Sequence, residues 1–140
     1  MKKYIPKLSP SYFIKLGILF LLYFFTAKFG LNFYPMHGLA TTVWPPTGIA
    51  LAFLILYDYD LWPAIMAAAF LINFTTGASP LLAIAIAIGN TLEAVVGTYL
   101  LRKYVVLYRC FERLHDTLYF IGIITLTATT ISATIGVASL

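Results

Sequence analysis

Along this chain the polar positions fall in short clusters, and the apolar positions fall in long runs. Five runs stand out, at about residues 12–33, 45–57, 61–75, 80–101 and 117–140. A helix needs about 20 mostly apolar residues to cross a hydrocarbon core about 30 Å thick. The first, fourth and fifth runs reach that length. The second and third do not, since fifteen helical residues rise only about 22 Å. That pair either spans a thinned region or forms a hairpin buried among the longer helices. The pattern predicts an all-α integral membrane fold, a polytopic helical bundle of about five apolar segments. Proline marks the short helices at their starts. Pro45 and Pro46 in "WPPTG" and Pro63 in "LWPA" suit the first turn, where a missing N–H costs little. Between the fourth and fifth runs, Tyr104, Leu107, Tyr108, Phe111 and Leu114 recur at three- and four-residue spacing, with Arg109, Glu112, Arg113 and Asp116 on the other side. This predicts a short amphipathic interfacial helix near 103–115 or a helical extension of the fourth run, with a plain connector as the simpler alternative.

Composition agrees with the pattern. The chain is 61% hydrophobic and 10% charged, against about 45–50% and 25% in soluble domains. Its net charge of +4 matters through location. Lys2, Lys3 and Lys7 precede the first run, and Arg102, Lys103, Arg109 and Arg113 lie between the fourth and fifth. The connections at 32–44 and 76–79 carry no Lys or Arg. The positive-inside rule therefore predicts a multi-pass protein with a cytoplasmic N-terminus and a cytoplasmic 102–113 stretch. The lysine-led N-terminus has no small-residue cleavage site close by, so it reads as a retained helix and not a signal peptide. Cys110 is the single cysteine, so no internal disulfide forms, and His37 and His115 lie too far apart to suggest a zinc site. No nucleophile–base pair or phosphate-binding loop is present, no motif calls for a cofactor, and no basic run suits a nucleic acid. The expected partners are the lipid bilayer and other membrane helices.

The candidate chemistry sits inside the runs. On a helix through 80–101, Glu93 is flanked at about 40° by Gly89 and Gly97, with Asn90 about 60° away, while Ile84, Ile88 and Val95 point to the opposite, lipid-facing side. The glycines form a face for close helix packing. A carboxylate facing lipid is costly, so Glu93 must face protein or water or be neutral. It reads either as a ligand or proton site or as a structural hydrogen bond. Asn73 needs partners in hydrocarbon and could meet Asn90 or Glu93 or cap its helix. Trp44, Pro45, Pro46 and Thr47 could shape a pocket, although a rigid helix start with an interfacial tryptophan is the simpler reading. In the fifth run, Ala128, Ser132 and Gly136 form a packing stripe. Lys15 and Lys28 read as snorkelling side chains.

The runs "ATTVWPPTGIALAFLILY", "WPAIMAAAFLIN" with "TTG", "AIGNTLEAVVGTYLLRK" and "TISATIGVASL" occur in that order. Together they resemble the bacterial membrane-associated sensor domain of the first type, the MASE-one family, from about Ala40 to Leu140. The resemblance implies a sensor in the bacterial inner membrane, roughly twice this length, so the chain reads as its N-terminal portion. It implies downstream helices and a cytoplasmic output module, a cyclic-di-GMP enzyme or a histidine kinase. It also directs attention to Trp44, Pro45, Pro46, Thr47, Asn73, Asn90 and Glu93 within the motifs. One departure stands out: "YDYDLWPA" carries acids where the family pattern leads one to expect a more basic or glycine-containing turn. The function expected is a sensory input module without catalysis of its own. It would respond to an unknown small ligand and act alone, as a homodimer or with a membrane partner protein. The alternative is a transporter or channel component with a buried polar site.

Overall fold

The computed structural model describes residues 9–33 and 44–104, together with the isolated positions Leu118, Gly122, Thr130 and Thr134. The elements are α1 (Pro10–Phe33), α2 (Pro45–Tyr57), a 3-10 turn (Tyr59–Leu61), α3 (Trp62–Thr75) and α4 (Pro80–Tyr104), with no strand among the described residues. Helix α4 continues past the expected end at 101, so Lys103 and Tyr104 belong to it as a helical extension and not to a separate interfacial helix. The rest of that amphipathic stretch lies outside the described residues. So does the fifth run with Ala128, Ser132 and Gly136, apart from the four isolated positions, which are helical. Among the described residues, two helices are long and apolar enough to cross a membrane, over Pro10–Leu31 and Pro80–Tyr104. With 13 and 14 residues, α2 and α3 are not.

Each helix end has a local cause. At the start of α2, Pro45 and Pro46 have no N–H to leave unpaired, and the Thr47 N–H donates to the Trp44 carbonyl at 3.2 Å. No side-chain cap is used there. At the start of α4, the Ser79 hydroxyl accepts from the Leu82 N–H at 3.3 Å, and its carbonyl accepts from the Ala83 N–H at 2.8 Å. Helix α3 ends in a Schellman turn. Gly77 takes φ +101°, while Ala78 N–H donates to the Asn73 carbonyl and Gly77 N–H to that of Phe74.

The end of α2 is less usual. Asp58 has φ 82° and ψ 170°, a backbone region essentially reserved for glycine, where another residue costs on the order of 1–3 kcal/mol. This is the turn in which the family pattern suggested glycine. Arg102 of α4 holds it. Its guanidinium donates from Nη1 to Asp58 Oδ1 at 2.6 Å and from Nη2 to the Leu54 and Ile55 carbonyls at 2.9 and 3.0 Å. It also lies 4.9 Å from the centre of the Tyr59 ring. The last turn of α4 thus caps the last turn of α2. Nearby, the Tyr12 hydroxyl donates to the Asp60 carbonyl at 3.0 Å, and Lys15 Nζ sits 4.6 Å over the Tyr57 ring, so this lysine rests on a neighbouring helix end.

Helices α1 and α4 each pack on α2 and α3 and scarcely on each other. Helix α1 buries Leu19, Tyr23, Ala27 and Gly30, while Phe13, Ile18, Leu22, Phe25 and Phe29 are exposed. Between α3 and α4 the buried residues are small, including Ala64, Ala68, Ala83 and Ala87, which lets the backbones approach closely. The buried stripe of α4 runs through Ala83, Ala87, Asn90, Ala94 and Leu101. Its exposed stripe runs through Ile84, Ile88, Leu92 and Tyr99. Val95, expected on the lipid face, is instead half-buried against the core. The helix is turned by about 80° from an orientation centred on Glu93, because the alanines and not the glycines make the main contact. Glu93, Gly89 and Gly97 are buried on its flank.

Candidate functional site

Helix α2 starts well short of the Pro80 end of α4. Its far end is fixed at Arg102, and its 13 residues cover about 20 Å. Its first turn therefore reaches the level of Asn90, partway along α4. There α1 contributes Tyr23, in the middle of a largely apolar helix and 1% exposed. The Tyr23 hydroxyl faces the Trp44 indole and the Asn90 amide, with the Glu93 carboxyl close enough to act on it electrostatically. Asn90 and Glu93 are 8% and 6% exposed. Three elements thus bring one polar group or more each to a shared interior point: α1, the start of α2, and α4.

The hydrogen bonding at this point is incomplete. The buried Tyr23 hydroxyl and Trp44 Nε1 approach these neighbours, yet neither makes a well-formed hydrogen bond among the described residues. A buried polar group without a partner costs about 1–3 kcal/mol. Asn90 and Glu93 both have interaction partners. Thr91, next in sequence, returns its hydroxyl to the Ala87 carbonyl at 2.7 Å and takes no part.

The expected site residues separate into those near the cluster and those elsewhere. Trp44, Asn90 and Glu93 gather around Tyr23. Pro45 lies against α1, its Cδ atom 3.7 Å from where a Cβ on Gly30 would stand. Pro46 is buried and Thr47 half-buried in the same turn. Asn73 is elsewhere: its amide donates to the Ala69 carbonyl of its own helix at 2.7 Å, next to the α3–α4 turn. Two residues escaped the sequence reading. Tyr23 lies in a largely apolar run, and a hydroxyl amid Leu and Phe at its centre is the available signal. Arg102 was read only as a topological charge. Among the described residues no three His, Cys, Asp or Glu side chains gather as a metal-ligand set. A separate open groove of about 360 Å³, lined by Trp62, Pro63, Met66, Ala67, Phe70, Ile84 and Ala87, brings no converging polar groups.

The MASE1 family model matches residues 15–140. This chain belongs to the MASE1 family. MASE1 is a membrane-associated sensor domain found in signalling proteins, so its role is sensory, and two long apolar helices among the described residues of this chain fit a membrane. The match begins at Lys15 and so takes in most of α1, Tyr23 included, which the motif-based resemblance left out. No curated protein and no solved structure matches the chain.

Proposed function

We propose that this MASE1 domain is the membrane-embedded input module of a bacterial cyclic-di-GMP enzyme or histidine kinase, and that its stimulus acts at the cluster of Tyr23, Trp44, Asn90 and Glu93. The observation that carries this reading is the burial of Glu93 beside Tyr23 and Asn90, where three elements meet. A carboxyl group in hydrocarbon is expensive, and in membrane domains such groups mark ligand, ion or proton sites. A stimulus that binds one arrangement of these elements better than another shifts their packing, and that difference is what an output module can read. The same proposal places the chain in the cytoplasmic membrane as a multi-pass domain with a cytoplasmic N-terminus, in accord with the two basic clusters.

The test compares Glu93→Gln with Glu93→Ala in the signalling protein that carries this domain. Gln keeps the shape and hydrogen-bonding capacity but cannot ionise. The expected result is that Glu93→Gln folds with a thermal midpoint near that of the parent and loses the change in output activity on stimulation. A normal response in Glu93→Gln, with only Glu93→Ala losing stability, would make Glu93 structural and overturn the proposal.

A further inference from the structure

The reading of this cluster as the sensing site leaves open what it senses, and its packing narrows that. Tyr23, Asn90 and Glu93 are 1%, 8% and 6% exposed, and the open groove of Trp62 and Phe70 has no residue of the cluster in its walls. A stimulus acting there has to need next to no room. The donors are already aimed: the Trp44 indole and the Asn90 amide both point at the Tyr23 oxygen. A hydroxyl that faces two donors has its own proton left to give, and the carboxyl group beside it belongs to Glu93. A divalent cation is poorly served, since it needs about six oxygen ligands and Trp44 and Asn90 turn N–H groups inward. A proton needs neither room nor a ligand shell, and a carboxylate takes one from water and returns it without another reactant. Of the charged and titratable groups on α1, Tyr23 faces Glu93. Lys28 is exposed about 140° away around that helix, and Tyr12 and Lys15 lie at its far end beside Asp60 and Tyr57. Helix α2 has Tyr57 alone, at that same end, and α3 has none. On α4 the next are Tyr99, which is exposed, and Arg102, which binds Asp58. Resting on the sensing reading, we infer that Glu93 is a reversible proton-binding site whose carboxylate form is supported by the Tyr23 hydroxyl, so that the domain senses pH. Protonation removes one negative charge and leaves a neutral carboxyl group that holds the Tyr23 O–H less strongly. The contact loosened links α1 to α4, which otherwise scarcely touch, and passes through Tyr23 to Trp44 at the head of α2. Trp44 is only half-buried, although its ring nitrogen is buried, so the cluster meets its surroundings there.

The sequence contains two tryptophans, Trp44 and Trp62, and Trp62 is exposed, so Trp62→Phe leaves Trp44 as the sole reporter. An indole responds to a charge that appears or vanishes beside it. The Trp62→Phe domain in lipid nanodiscs is titrated from about pH 4 to about pH 9, a range that brackets most carboxyl groups in proteins, while tryptophan emission is recorded. One sigmoidal transition is expected. Adding Glu93→Gln should abolish it. Adding His37→Gln, which removes the histidine seven residues before Trp44 in the sequence, should leave it in place. Adding Tyr23→Phe should keep the transition and move its midpoint up by about one to two pH units, the loss of one hydrogen bond to a charged group. This variant adds no polar group to the core, and it decides the matter if Glu93→Gln does not fold. Circular dichroism and the thermal midpoint verify folding of each variant. No transition, a transition that survives Glu93→Gln or disappears with His37→Gln, or a midpoint unmoved by Tyr23→Phe overturns the inference. The outcome is separable from that of the sensing proposal. Loss of the output response in Glu93→Gln without a pH transition at Trp44 leaves the sensing site and rejects the proton, and a Glu93-dependent transition with a normal Glu93→Gln response does the reverse.

Discussion

Asp58 combines backbone strain with a compensating ion pair. Its positive φ favours glycine, and its carboxylate binds Arg102. The pair is substantially solvent-exposed, so its own contribution is under about 1 kcal/mol, less than the strain can amount to. Asp58→Gly gives up the ion pair and relieves the backbone. Asp58→Ala gives up the ion pair and keeps the strain. The expectation is that Asp58→Gly remains within about 1 kcal/mol of the parent and Asp58→Ala falls about 1 kcal/mol or more below Asp58→Gly. Thermal unfolding in detergent measures both, and equal losses would show that the turn is not strained. The sequence marked this position as a departure from its family pattern, but the partner that stabilises it lies 44 residues away and could not be read locally.

At the level of helices, boundaries were far more legible than faces. Prolines at the helix starts and the Thr-Thr-Gly turn act through local backbone chemistry, and the expected limits of α2 match those observed. Faces depend on contrast between inside and outside, and for a helix in lipid both surroundings are apolar. Phe25 and Leu19 on α1 are similarly hydrophobic, yet one is exposed and the other buried. On α4 the alanines mark the contact face, and an orientation centred on Glu93 and its glycines misplaces Val95. The glycines are nonetheless buried and Ile88 is exposed. Gly89→Leu and Gly97→Leu are therefore expected to lower the thermal midpoint in detergent clearly, by overpacking worth about 1–3 kcal/mol, while Ile88→Leu leaves it within error. Equal effects from all three would remove the basis for the observed helix rotation.

At the scale of the molecule, the proposed orientation is tested by labelling. With Cys110→Ser as background, single cysteines at Lys7 and Arg109 should resist an impermeant maleimide applied to the outer face of intact cells and react after permeabilisation. Labelling of either from outside would reverse or break the topology. The clamp at Arg102 has a mechanical consequence under any orientation. It bonds α4 to the side chain of Asp58 and to two main-chain carbonyls of α2, so sliding α4 along its axis breaks several charge-assisted bonds at once, whereas tilting it about Arg102 strains them little. Helix α4 is then a lever whose fulcrum is the guanidinium. Glu93 sits nine residues up the arm, about 13 Å away, and a stimulus that displaces it by about 1 Å swings the arm by roughly 4° while the fulcrum stays in place.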